Sequence, residues 1–324
     1  RSAAAFSQRL TDTIKIHEVV ISENKLSEQD YLQITSLDTT VLEGNHTENL
    51  SELLIKHSDI YIKSYGHGQL ATASFRGSAP SHTKVQWNGI GLNSPMLGQV
   101  DFSLVPVYFI DEVNIFYGGS SVSKTSGALG GSVSLNNAPK WNRRFFTEVL
   151  SGYGSFDTYH NYTSIGGGNK KIQFKSSLFY KYSENDFRYF NDAVLPYKYQ
   201  RLKNAELEGK GFLQDIYLRI NNKNTLSVKY WRQNSDRNIP QIMSHEGNNR
   251  KENQKDDINR GVITWEYYGR RDKLFVRSGF NSKKLDYRIF HDTYGGTLTQ
   301  IDSKSHATSY YNQINYQHEI NTYV

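Results

Sequence analysis

The 324-residue chain contains no cysteine, which excludes disulfides, thiolate metal sites and cysteine nucleophiles. Its 38 Lys and Arg against 32 Asp and Glu leave a formal charge of +6 that is dispersed along the chain, so no basic block marks a nucleic-acid partner. No apolar run reaches the roughly 18 residues of a transmembrane helix, which leaves a soluble protein or a membrane-spanning barrel; 23 Tyr and 16 Phe favour the barrel, because amphipathic rings collect where apolar surface meets polar.

The start, RSAAAFSQ, has the small residues of a signal-peptidase site. IKIHEVVI (14–21) alternates and suits an extended segment, and NLSELLIKHSDIYI (49–62) runs at helical period before turning strand-like. Short β-like pieces follow at SFRG (74–77), TKVQWNGI (83–90) and FIDEVNIFY (109–117), separated by Gly, Pro, Ser and Asn. This mixture predicts a small α+β domain up to about residue 140.

YGGSSVSKTSGALGGSVSL (117–135) comes within one residue of a phosphate-binding loop, since Gly118 to Thr125 read G-x-x-x-x-S-K-T. Such a loop needs a second glycine for close backbone approach and a following helix whose dipole holds the anion. Ser123 stands where that glycine belongs, and Gly127, Gly130, Gly131 and Pro139 leave no room for the helix. The stretch therefore predicts no nucleotide site at Lys124.

Beyond Trp141 the period settles at two. In KIQFKSSLFYKY (171–182), Ile172, Phe174, Leu178, Tyr180 and Tyr182 share one face, and Gln173, Lys175, Ser177 and Lys181 share the other. Similar segments at 144–152, 157–166, 211–220, 225–231, 261–268, 273–280 and 309–317 make about eight strands by this pattern. Tight turns at 166–170, 221–224 and 269–272 alternate with long polar stretches at about 184–207, 235–257 and 290–302. Short turns at one end and long loops at the other are the signature of a transmembrane β-barrel.

With that context, residues 74–95 and 101–135 resemble the plug domain of TonB-dependent outer-membrane receptors. The matching positions are Arg76-Gly77, Asn88-Gly89, Val105-Pro106, Ile110 to Val113, Gly118 to Ser121 and Gly127 to Leu135. The chain departs from the family at Asn88-Gly89, where Asp-Gly is usual, at Gly119, which replaces a common proline, and at Ser126-Gly127, which replaces Tyr-Gly. Asn-Gly makes the same tight turn as Asp-Gly, so the first departure is conservative. DTIKIHEVVIS (12–22) resembles a TonB box, an extended strip that an energy-transducing partner captures by strand addition.

The resemblance implies an extended segment at 1–22, a plug at 23–140 and the first part of a barrel at 141–324, with about eight of some 22 strands present. It implies import of a scarce, bulky nutrient of the cobalamin, ferric siderophore or haem class through plug rearrangement, in the outer membrane of a Gram-negative cell. The alternative is an adhesive or structural barrel without energy coupling. The expected partners are a TonB-like periplasmic protein, outer-membrane lipid, the nutrient and a surface lipoprotein that hands it over; no enzyme activity and no cofactor are expected. Thr13, Ile14, Lys15, Ile16, His17, Glu18 and Val19 are the expected TonB contacts. Arg76 is expected to hold the plug against acidic groups of the barrel wall, and Gly77, Asn88, Gly89, Gly118, Gly127, Gly130 and Gly131 to shape the plug's turns. Loops 65–70 and 92–99 are the expected substrate contacts, through Tyr65, His67, Gln69, Asn93, Met96 and Gln99; Phe187, Tyr189, Phe190 and Tyr197 of the barrel's outer loops either touch substrate as well or form the upper aromatic girdle. His67 and His82 lack an i, i+4 His or Glu partner, so no metal site is expected.

Overall fold

The computed structural model describes residues 33–118, 127–245 and 249–320. The TonB-box-like segment, including Thr13 to Val19, and Lys124 of the glycine-rich stretch lie outside them.

The first domain opens with β1 (Ile34–Leu37) and α1 (Thr39–Gly44), whose N-cap Asp38 accepts hydrogen bonds from the Thr40 and Val41 amides at 3.0 and 3.1 Å. In α2 (Leu50–His57) the same job falls to a capping box: Asn49 Oδ1 accepts the Glu52 amide, and Glu52 Oε2 accepts the Asn49 amide, both at 3.1 Å. Leu50, Leu53 and Leu54 form its buried face. A hairpin of β2 (Tyr61–Ser64) and β3 (Ala71–Ser74) follows. SFRG, read above as a strand piece, is mostly the turn after β3, because Arg76 (φ 48°) and Gly77 (φ 78°) leave extended geometry.

Then come β4 (Thr83–Trp87), β5 (Ile90–Gly91), β6 (Glu112–Tyr117) and β7 (Gly131–Asn136). They form a sheet in the order β1-β6-β7-β4-β5, in which β4 and β7 run parallel. Asn88 (φ 46°) and Gly89 (φ 81°) make the two-residue β4–β5 turn, where both central residues need positive φ. Gly130 and Gly131 are required for another reason: a Cβ would sit 2.2 Å from Ser78 Oγ and 2.5 Å from Phe75 Cδ1 respectively.

The second domain is an eight-stranded, wholly antiparallel sheet made of β8 (Phe146–Gly154), β9 (Thr158–Gly168), β10 (Ile172–Ser183), β13 (Leu207–Asn221), β14 (Asn224–Ile239), β15 (Arg250–Tyr268), β16 (Asp272–Thr293) and β17 (Gly296–His318). Its burial is inverted relative to a soluble sheet. Along β10 the apolar Ile172 and Leu178 are 50% and 56% exposed, whereas Gln173 and Ser177 are 5% and 0% exposed. The apolar face looks outward and the polar face is covered by the first domain, as a membrane barrel around a plug requires.

Three long loops expected from the sequence are shorter in the structure. The stretch 184–207 carries a hairpin of β11 (Arg188–Asn191) and β12 (Lys198–Arg201). Most of 235–257 and 290–302 belongs to strands, and β16 turns into β17 through Tyr294 and Gly295 alone. The hydrophobic alternation stops in these strand ends because they bear charge on their outer face. Cross-strand pairs replace it: Lys255–Asp236 at 2.6 Å, Lys251–Asp292 at 2.7 Å and Arg288–Asp302 at 3.4 Å. No described helix is long and apolar enough to cross a membrane.

Candidate functional site

Two features stand where the domains meet: a clasp near the short-turn end and a cavity at the long-loop end. The clasp centres on Asn137, just after β7. Its Oδ1 accepts Trp87 Nε1 (2.8 Å) and Asn88 Nδ2 (3.0 Å), and its Nδ2 donates to the Phe109 carbonyl (2.8 Å). From the barrel wall, Lys229 Nζ donates to Asn88 Oδ1 at 2.6 Å and to the Asn137 carbonyl at 2.7 Å. Lys229 is one of three charges in a buried lumen-facing row, since Lys175 opposes Asp215 on β13 and Asp215 opposes Lys229 on β14. Asp111 of the first domain completes the row through its 2.8 Å ion pair with Lys175. Beside it the aromatic rings interlock, with Trp87 and Phe109 edge-on to Trp231 at 5.4 and 5.8 Å and Tyr108 stacked on Tyr162 at 4.9 Å.

Asp111 lends the clasp a pH dependence. Burial raises its pKa, but the charge and hydrogen bond of Lys175, the Ala138 amide and the charge of Lys140 outweigh this, so its carboxyl titrates below the ordinary value. A depressed folded-state pKa stabilises docking at all pH above the unfolded value of about 3.9 and loses that contribution as pH falls through the folded value. The Asp111 contribution is therefore expected to be full above about pH 4 and to be lost below it, and Asp111→Asn should remove that acid step. Protease cleavage of segment 138–145 as a function of pH measures this; an acid step that persists in Asp111→Asn would refute the assignment.

The cavity, of about 750 Å³, lies between loop 65–70 of the first domain and the segments after β10 and β14. Tyr65, His67 and Gln69 reach it from below. His67 Nδ1 hydrogen-bonds Glu52 Oε1 at 3.0 Å, while Gln69 Nε2 donates to the Asn238 carbonyl at 3.0 Å and so fixes the loop to the barrel. Asn185 Nδ2 donates to the His67 carbonyl at 3.1 Å from the other side. Burial raises the Glu52 pKa, but the bond and charge of His67 and the Asn49 amide bring it below the ordinary value, so it stays ionised.

The other expected site residues lie elsewhere. Asn93 clamps its own loop, accepting the Val85 amide at 3.0 Å and donating to the Thr83 and Gly98 carbonyls at 2.8 and 2.9 Å. Met96 is 63% exposed, and Gln99 lines a separate narrow crevice beside Arg260. Arg76 sits in a left-handed turn (φ 48°), is exposed and donates to Gln33 Oε1 of the first domain at 3.2 Å. Gly118 (φ 57°) and Gly127 (φ 76°) both flank the glycine-rich stretch in turn geometry. Phe187 lines the cavity, joined by Leu202, Arg237, Ile242 and Met243, which no local sequence signal marks. Among the described residues no group of three or more His, Asp or Glu side chains could hold a metal.

Comparison with known proteins agrees with this architecture. Residues 28–132 match the TonB-dependent Receptor Plug Domain. The vitamin B12 transporter BtuB of Photobacterium profundum is 28% identical over 127 residues, 39% of this chain and 21% of that protein. Among solved structures, the siderophore receptor PiuA of Acinetobacter baumannii superposes with a TM-score of 0.68 at 13% identity, over 90% of this chain and 43% of that one. The ferric-catecholate import receptor Fiu of E. coli K12 gives 0.64 at 12% identity, over 90% and 47%. The chain thus spans about a fifth of the curated relative and less than half of these solved receptors. A plug-domain match, a plug-like sheet seated against an inverted antiparallel sheet, and receptor-like folds over nine-tenths of its length together place the chain among the TonB-dependent outer-membrane receptors, of which it carries the plug and part of the β-barrel.

Proposed function

We propose that the receptor imports a scarce, bulky nutrient of the cobalamin, ferric siderophore or haem class, using a TonB-like partner to rearrange the plug. The observation that carries this reading is the cavity itself. It is walled by segments at the long-loop end of the sheet and floored by plug loop 65–70, so a ligand resting in it touches both the fixed wall and the part that must move. The named relatives, a vitamin B12 transporter and siderophore receptors, support the ligand class. No bond need be made or broken; binding, then displacement of the plug, is sufficient.

Phe187 is the test residue, because it lines the cavity from a loop and its ring packs only edgewise on Phe156 and Tyr189, at 6.2 and 6.5 Å. Phe187→Ala should raise the ligand concentration for half-maximal uptake about tenfold, or ~1.4 kcal/mol, with the maximal rate retained. Unchanged half-saturation would remove the cavity from the transport path.

A further inference from the structure

Resting on the import reading above, we infer that the extracellular cavity selects an electroneutral, amphipathic ligand over a polyanionic iron chelate. The cations that line it are already neutralised inside the protein. Arg237 Nη2 lies 2.7 Å from Asp101 Oδ2, with the two side chains 3% and 7% exposed. Its Nη1 donates to the Gly68 carbonyl at 3.3 Å and to Ser103 Oγ at 3.4 Å. Arg250 Nη2 lies 2.5 Å from Glu252 Oε1, and the other oxygen of Glu252 accepts the Tyr287 hydroxyl at 2.6 Å. His67 faces Glu52.

Two guanidinium groups thus meet three carboxylates, so the described lining and its direct partners carry no surplus positive charge in either protonation state of His67. A multiply charged anion would have to draw Arg237 from Asp101 and strand a buried carboxylate, which is costlier than any exposed pair. The rest of the wall suits a different guest. Tyr65, Leu70, Phe187, Leu202, Ile242 and Met243 offer apolar surface, and Met243 adds an adaptable thioether. Beside them Gln69, Asn185 and Gln254 add uncharged amides to the lining, their nitrogens already donating to the Asn238 and His67 carbonyls and to Asp256 Oδ2.

The test uses the full-length receptor in detergent with three probes: a triply anionic ferric tris-catecholate, a neutral ferric tris-hydroxamate and cyanocobalamin. Binding is followed by calorimetry at about 0.05 and 0.5 M salt, which separates charge-steered from apolar binding. At least one neutral probe should bind at least tenfold tighter than the anion, with affinity changing less than about twofold between the two salts. Tightest binding by the tris-catecholate, or a loss of more than tenfold at high salt for the best probe, would overturn the charge inference and leave import standing. Binding by none of the three would remove the cavity as a ligand site, and the import reading with it.

Discussion

Replacing Lys229 by Met is expected to unfasten the plug. The ammonium holds Asn88 Oδ1 and the Asn137 carbonyl, sits 5.3 Å from the centre of the Tyr217 ring, and stands beside Asp215 in the sheet. Asp215 is fully buried, and neither carboxylate oxygen accepts a hydrogen bond from a described residue. Its charge is balanced by the lysines on either side, Lys175 and Lys229. Removing one of them leaves a buried anion half-compensated and takes the ammonium donor from the Asn137 carbonyl and from Asn88 Oδ1, which keeps the Asn137 amide at 3.0 Å, a loss of about 3–5 kcal/mol. The population of undocked plug should rise on the order of a hundredfold or more, read as faster proteolysis between Asn137 and Phe146.

The pair Asp215→Asn with Lys229→Met should recover much of the loss, since it removes both charges together. Equal damage in the single and double variants would mean that the interlocked rings around Trp231, and not the charge row, hold the plug.

How much of this was legible depended on the range of the interaction involved. The alternation in 171–182 named the two faces of β10 correctly, because period-two burial is local. Which face looked inward was not local: Gln173 and Lys175 read as an ordinary polar face until the plug was seen to cover them. For the same reason the row Lys175–Asp215–Lys229 could not be read, since it exists only through the register of β13 with its neighbour β14 and with β10, from which the β11–β12 hairpin separates it in sequence. The strand ends at 235–239, 250–257 and 290–302 looked like loops because ion pairs between neighbours, not apolar burial, hold them.

The plug was more legible than the barrel, because its Asn88-Gly89 turn and its glycine contacts are written in short spacings. Loop 65–70 was singled out as a plug apex and does floor the cavity, whereas Asn93, Met96 and Gln99 belong to a loop that packs on itself and on β15 and β16.

In the proposed import, ligand binding and plug displacement are separate steps, the second driven from the periplasm through the segment 12–22. A segment whose sequence alternates and carries β-branched residues is expected to offer a partner an edge for strand addition. The most direct measurement compares surface binding and intracellular accumulation of one labelled ligand in cells carrying the receptor or its form lacking residues 12–20. Binding should be unchanged, within about twofold, and accumulation reduced by on the order of a hundredfold. Accumulation that survives the deletion, or binding lost in step with it, would contradict energy-coupled import through this plug.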